Sequence, residues 1–170
     1  TVGMFVALDF VWDRAKADRT EEKAIFIDEV WQLIGASSNR LAAEFVLEIF
    51  KIIRGYGGAA ICATQDINDF LALDDGKYGK GIINNSKTKI VLNLEDEEAQ
   101  RVQNILNLSD TEIMNITHFA RGNGLILTNN NNVTVEFKAS QLETEMITTD
   151  REHLREIIRN THRTMQKEDF

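Results

Sequence analysis

Two short apolar runs with one long amphipathic segment between them constrain this chain more than any other feature in it. Residues 24–28, inside "KAIFIDEVWQL", are a four-residue apolar run closed by charge, and residues 59–64, "AAICAT", are a second. Runs this short between turn and charge signals suit buried strands. Between them, "SSNRLAAEFVLEIFKIIRGYGG" puts Leu41, Phe45, Ile49 and Ile52 on one helical stripe. Ser37 or Ser38 can cap that helix and Gly55 can stop it. Strand, helix and strand in this order predict a parallel βαβ unit. Such a unit opens a ligand crevice at the carboxyl ends of its strands.

The flanking sequence extends the same pattern. Residues 2–18 read as a helix with a broad apolar face. Downstream, "INDFLAL" reads as a short helix, "DDGKYGKG" as a polar, glycine-rich loop and "TKIVLNL" (88–94) as a third strand. "EDEEAQRVQNIL" is a helix whose first-turn acids suit the macrodipole. Ser109 with Glu112, Ser140 with Glu143 and Thr149 with Glu152 have capping-box spacing, and each pair opens a helix. Strands over 124–128 and 133–138 flank "NNNN", the arrangement of an antiparallel hairpin. The last helix carries Leu154, Ile157, Ile158, Thr161 and Met165 on one face. With no repeat or linker, residues 1–170 read as a single α/β domain with C-terminal helices over about 141–168.

Composition narrows the function classes. A net charge of −8 argues against nucleic-acid binding driven by bulk charge, leaving direct nucleic-acid contact open. No apolar run reaches the ~20 residues that span a bilayer. The single cysteine, Cys62, cannot form an internal disulfide and reads as a small buried strand residue. His118, His153 and His162 lack partners at metal-ligand spacing. The chain opens inside an apolar pattern (Val2, Phe5, Val6, Leu8, Phe10, Trp12), so a longer parent chain is expected.

The chemistry-bearing residues gather at the ends of the two predicted strands. Asp28 and Glu29 directly follow the first apolar run, where a P-loop nucleotide hydrolase carries its Walker B acids. One such acid holds hydrated magnesium and the next orients or deprotonates the attacking water. Thr64 and Gln65 end the neighbouring strand, so parallel pairing puts them on the same edge. A Gln there can hydrogen-bond a γ-phosphate or a lytic water without adding charge. Arg54 and Arg121 are candidates for an arginine that a ring ATPase inserts into a neighbouring subunit's site.

These residues carry a family resemblance. "KAIFIDEVWQLIG", "FKIIRGYGGAAICATQDINDFL", "GIINNSKTKIVLNL" and "FARGNGLIL" resemble, in order and spacing over residues 5–150, the large ATPase of conjugative transfer and type IV secretion systems (the VirB-type, TraC- and TrbE-like group). The resemblance implies a RecA-like P-loop NTPase core, a mostly parallel sheet flanked by helices, with a C-terminal antiparallel hairpin. It implies ATP and Mg2+ as cofactors and ATP hydrolysis that energises transfer. It also implies self-association, as a hexamer, and partners among the components of a membrane-embedded channel. The implied location is cytoplasmic, peripheral at the inner face of the cell membrane.

On this resemblance Asp28 binds Mg2+ through water, Glu29 activates the lytic water and Gln65 senses the γ-phosphate. Arg54 serves catalysis in trans, and Asp28, Glu29, Thr64, Gln65 and Arg121 contact the nucleotide. One departure stands out: no GxxxxGK[ST] loop occurs, and "GKYGKG" (76–81) has no hydroxyl after either lysine and no strong strand ahead of it. A truncated chain is therefore expected, inactive by itself. The alternatives are a DNA-pumping translocase of the coupling-protein or FtsK kind, and a non-catalytic docking module that keeps the fold.

Overall fold

The structure, a computed structural model, describes residues 2–129, 131–155 and 157–159. By compactness they fall into a unit that ends at Val135 and one that starts at Glu136. In the first unit, β1 (Lys23–Ile27) pairs in parallel with β2 (Gly58–Cys62), in register from Lys23↔Gly58 to Ile27↔Cys62. The crossover between them contains α2 (Trp31–Ile34) and α3 (Arg40–Ile52), so the predicted βαβ unit forms.

Details of the crossover differ from the sequence reading. Asn39, not Ser37 or Ser38, caps α3, accepting the Ala42 N–H at 2.8 Å, while the Ser38 hydroxyl donates to the Leu33 carbonyl. The chain runs past Gly55 through a 3₁₀ turn (Ile53–Tyr56) and stops at Gly57, whose φ of 73° is the left-handed cap that glycine adopts freely. The buried face of α3 is Ala42, Ala43, Val46, Leu47, Ile49 and Phe50, whereas Leu41 is 74 % exposed. The true stripe is wider than, and rotated from, the predicted one, because helices pack on both flanks of α3.

One of these neighbours is α1 (Val2–Ala17), which inserts Leu8, Trp12 and Ala15 into the core beside Ile25, Ile27, Val46 and Ile49. Another is α5 (Lys77–Asn85), in the segment expected to be a loop. It follows α4 (Ile67–Phe70) and a 3₁₀ turn (Leu73–Gly76), and buries Tyr78, Gly79 and Ile82. The glycines here allow close packing: a Cβ on Gly79 would lie 2.4 Å from the Phe70 carbonyl oxygen.

Beyond α5, β3 (Thr88–Val91) ends earlier than predicted and pairs antiparallel with β4 (Asn123–Thr128), which neighbours β5 (Asn131–Glu136). Asn93, just past the strand, turns its amide to the carbonyls of Ile116, Thr117 and Phe119, at 3.2, 3.3 and 3.1 Å. The hairpin is present, although its second strand starts at Asn131, within the asparagine run. Helices α6 (Asp96–Leu106) and α7 (Asp110–Thr117) pack on this sheet through Val102 and Ile116, joined by Leu108 from the loop between them. Ser109 and Glu112 form the predicted capping box. Ile67 touches this second core and the first.

In the unit from Glu136, Ser140 and Glu143 form a complete capping box on α8 (Gln141–Ile147). Residues 151–155 and 157–159 are helical. Their cap is Asp150, not Thr149: its carboxylate accepts the Glu152 and His153 N–H groups at 3.0 and 2.8 Å. Of the stripe predicted for this helix, Thr161 and Met165 lie outside the described residues.

Burial on the parallel pair is one-sided. Ile25 and Ile27 are buried, whereas Phe26 is 75 % exposed and Ala24, Ala59 and Ile61 are exposed beside it. Parallel strands are ordinarily covered on both faces. The apolar run in β1 is therefore half core and half bare surface among the described residues.

Candidate functional site

The chain leaves β1 in a sharp turn that places the two acids at the carboxyl end of the sheet. Glu29 takes a left-handed conformation, φ 51°, which costs a non-glycine residue about 1–2 kcal/mol. Hydrogen bonds on both sides hold the turn. The Asp28 carboxylate accepts the Glu29 N–H at 2.9 Å, and the Glu29 carbonyl accepts the Gln32 N–H at 3.0 Å. The parallel ladder continues past the strands, with Ala63 N–H donating to Ile27 at 3.0 Å and Val30 N–H donating to Ala63 at 3.1 Å. Val30 is fully buried and anchors the far side of the turn.

This geometry turns the Glu29 carboxylate back over the strand ends. The Gln65 amide donates to Glu29 Oε1 at 2.7 Å, across 36 positions of sequence, and the Trp31 indole N–H donates to Glu29 Oε2 at 2.7 Å. Glu29 and Gln65, brought together in the sequence reading only by parallel pairing, are in direct contact. Trp31 was not singled out for chemistry. Its signal is a donor-only aromatic two positions after an acid.

The other candidates are distributed around this pair. Asp28 is exposed, and its partner among the described bonds is the neighbouring backbone N–H. The Thr64 hydroxyl donates to the Asp66 carbonyl at 3.2 Å, in the turn where Asp66 caps α4. Arg54 is exposed at the opposite, amino end of β2, so that the whole five-residue strand separates it from Gln65. Arg121 is exposed in the turn before β4, on the other sheet. Within one chain, neither arginine joins the Glu29–Gln65 contact.

The donor set suits magnesium held by few protein ligands. Mg2+ keeps several waters and takes one or two carboxylates along with substrate phosphates. Asp28 and Glu29 offer carboxylate oxygens of that type, and no cluster of three or more ligating side chains occurs among the described residues. "GKYGKG" offers no phosphate cradle, because Lys77–Asn85 is helix and Lys80 donates to the Asp75 carbonyl at 3.0 Å.

A parallel βαβ unit flanked by helices, with polar side chains gathered at the carboxyl ends of its strands, has the α/β architecture of a P-loop NTPase. The sequence profile of the TraG P-loop domain matches residues 2–165, so the chain belongs to that family. The structure of VirB4 of Thermoanaerobacter pseudethanolicus superposes with a TM-score of 0.76 at 28 % identity, over 82 % of this chain and 37 % of that one. The chain thus spans little more than a third of that protein. The genome packaging NTPase B204 from Sulfolobus turreted icosahedral virus 2, solved in complex with ATP-gammaS, shares the fold. It superposes with a TM-score of 0.55 at 15 % identity, over 77 % of this chain and 62 % of that one. No curated protein sequence matches. Among the described residues, no helix is long and apolar enough to cross a membrane.

Proposed function

We propose that this chain is the Walker B and sensor portion of a motor ATPase that energises conjugative transfer or type IV secretion. The observation that carries the reading is the contact between Glu29, at the end of β1, and Gln65, at the end of β2. Asp28 holds Mg2+ through water. Glu29 accepts a proton from the attacking water, and Gln65 exchanges its bond to Glu29 for one to the γ-phosphate, while Thr64 lines the same edge. Mg2+ held there would supply positive charge to offset that of the phosphates.

The phosphate cradle and its hydroxyl ligand come from outside this sequence, so the chain alone neither binds ATP tightly nor turns it over. Arg54, exposed at the far end of β2, acts in trans on a neighbour's site, and Arg121 supports nucleotide binding. A trans-acting arginine requires a second subunit, and the assembly proposed is a hexameric ring docked peripherally on a channel at the inner face of the membrane. Residues 1–170 act as one part of that motor domain.

The test is Glu29→Gln in the full-length ATPase that contains this chain. Removing the base while keeping the shape is expected to lower kcat by about 10²–10⁴-fold with nucleotide affinity retained. Full activity in that variant refutes the assignment.

A further inference from the structure

The two oxygens of the Glu29 carboxylate have different partners. Oε1 accepts from Gln65, an exposed amide on a residue outside the strand. Oε2 accepts from Trp31, whose ring packs against the buried core and whose backbone opens α2. The first donor sits on a side chain that can swing. The second is held, because an indole offers one N–H in a fixed direction and this ring is packed. Glu29 itself sits in a left-handed turn, where its carboxylate cannot be steered by ordinary strand or helix geometry.

We propose that Trp31 is the positioning residue of Glu29: it anchors Oε2, so that Oε1 is the oxygen that meets water when Gln65 lets go. The assignment rests on the catalytic reading of Glu29. It divides the carboxylate into an anchored oxygen and a working one, with Gln65 covering the working oxygen until a phosphate competes for its amide. Trp31 contacts no reacting atom and acts through Glu29 alone.

Two experiments test this. In the 170-residue chain, the indole N–H signals of Trp12 and Trp31 are told apart with Trp31→Phe, which keeps an aromatic ring and removes the donor. Glu29→Ala should shift the Trp31 indole signal and speed its exchange with water by about tenfold or more, the loss of one charge-assisted bond, and leave the Trp12 signal in place. In the full-length ATPase, Trp31→Phe should lower kcat about 10- to 100-fold with KM for ATP unchanged, and Trp31→His, which retains a ring N–H, should recover part of it.

An indole signal indifferent to Glu29→Ala overturns the proposal. So does a Trp31→Phe enzyme with normal kcat while Glu29→Gln is dead. If Glu29→Gln is itself fully active, the catalytic reading fails instead, and the indole measurement still decides whether the clamp exists.

Discussion

Gly79→Ala puts the packing of α5 to a direct test. The position is helical, and Ala is a better helix former than Gly by about 1 kcal/mol, so local propensity alone predicts a gain. The tertiary structure predicts the opposite. The new Cβ would lie 2.4 Å from the Phe70 carbonyl oxygen and 2.9 Å from Phe70 Cδ1, roughly an ångström inside ordinary contact. The first neighbour is backbone, and Phe70 is itself in the core, so neither atom can yield without moving α4 or α5. Moving α5 would unseat Tyr78 and Ile82, each only 1 % exposed. Overpacking of this kind costs typically ~1–3 kcal/mol, and backbone opposition puts this site at the upper end. Net of the propensity gain, a loss of about 1–2 kcal/mol is expected, which at m of about 2 kcal/mol/M lowers the urea midpoint by about 0.5–1 M. Gly3→Ala is the control. Gly3 lies in α1 with nothing within 4 Å of a built Cβ, so its midpoint should hold or rise slightly. A Gly79→Ala midpoint at or above that of the unsubstituted chain would refute the packing role and restore the view of 76–81 as an open loop.

Two further outcomes follow from local electrostatics and burial. The Ser109 backbone N–H, the Ser109 hydroxyl and the Asn132 amide, in that order, hold the Glu112 carboxyl below its ordinary value of 4.5, so its contribution is present above that value and lost as pH falls through the depressed one. Ser109→Ala should cost about 1 kcal/mol at pH 7, and the stability gap between Glu112 and Glu112→Gln chains should close in acid, both by urea titration. Burial pushes the Cys62 thiol up to about 11 from 9.0, leaving about 100-fold less thiolate at neutral pH. Alkylation of Cys62 should therefore be slow in the folded chain and fast in urea, and equal rates would place the thiol in water.

What the sequence by itself determined is local. Apolar runs of strand length around a 3.6-periodic segment led to the βαβ unit, and the Ser109 and Ser140 capping boxes are contacts over three positions, written in adjacent residues. The acid pair was legible for the same reason, because a carboxylate that ends an apolar run must sit at the strand end. Tertiary structure alone decided the rest. The buried face of α3 was set by the helices on its flanks, so Leu41 reached solvent although its spacing was correct. "KYGKG" became helix because Phe70 accepts its glycine at close range, which overrides glycine's weak propensity. The Glu29 clamp joins an indole two positions away with an amide 36 positions away. A hydrogen bond between residues so far apart in sequence depends on where two strand ends meet in space, and neither strand end carries that distance in its own residues.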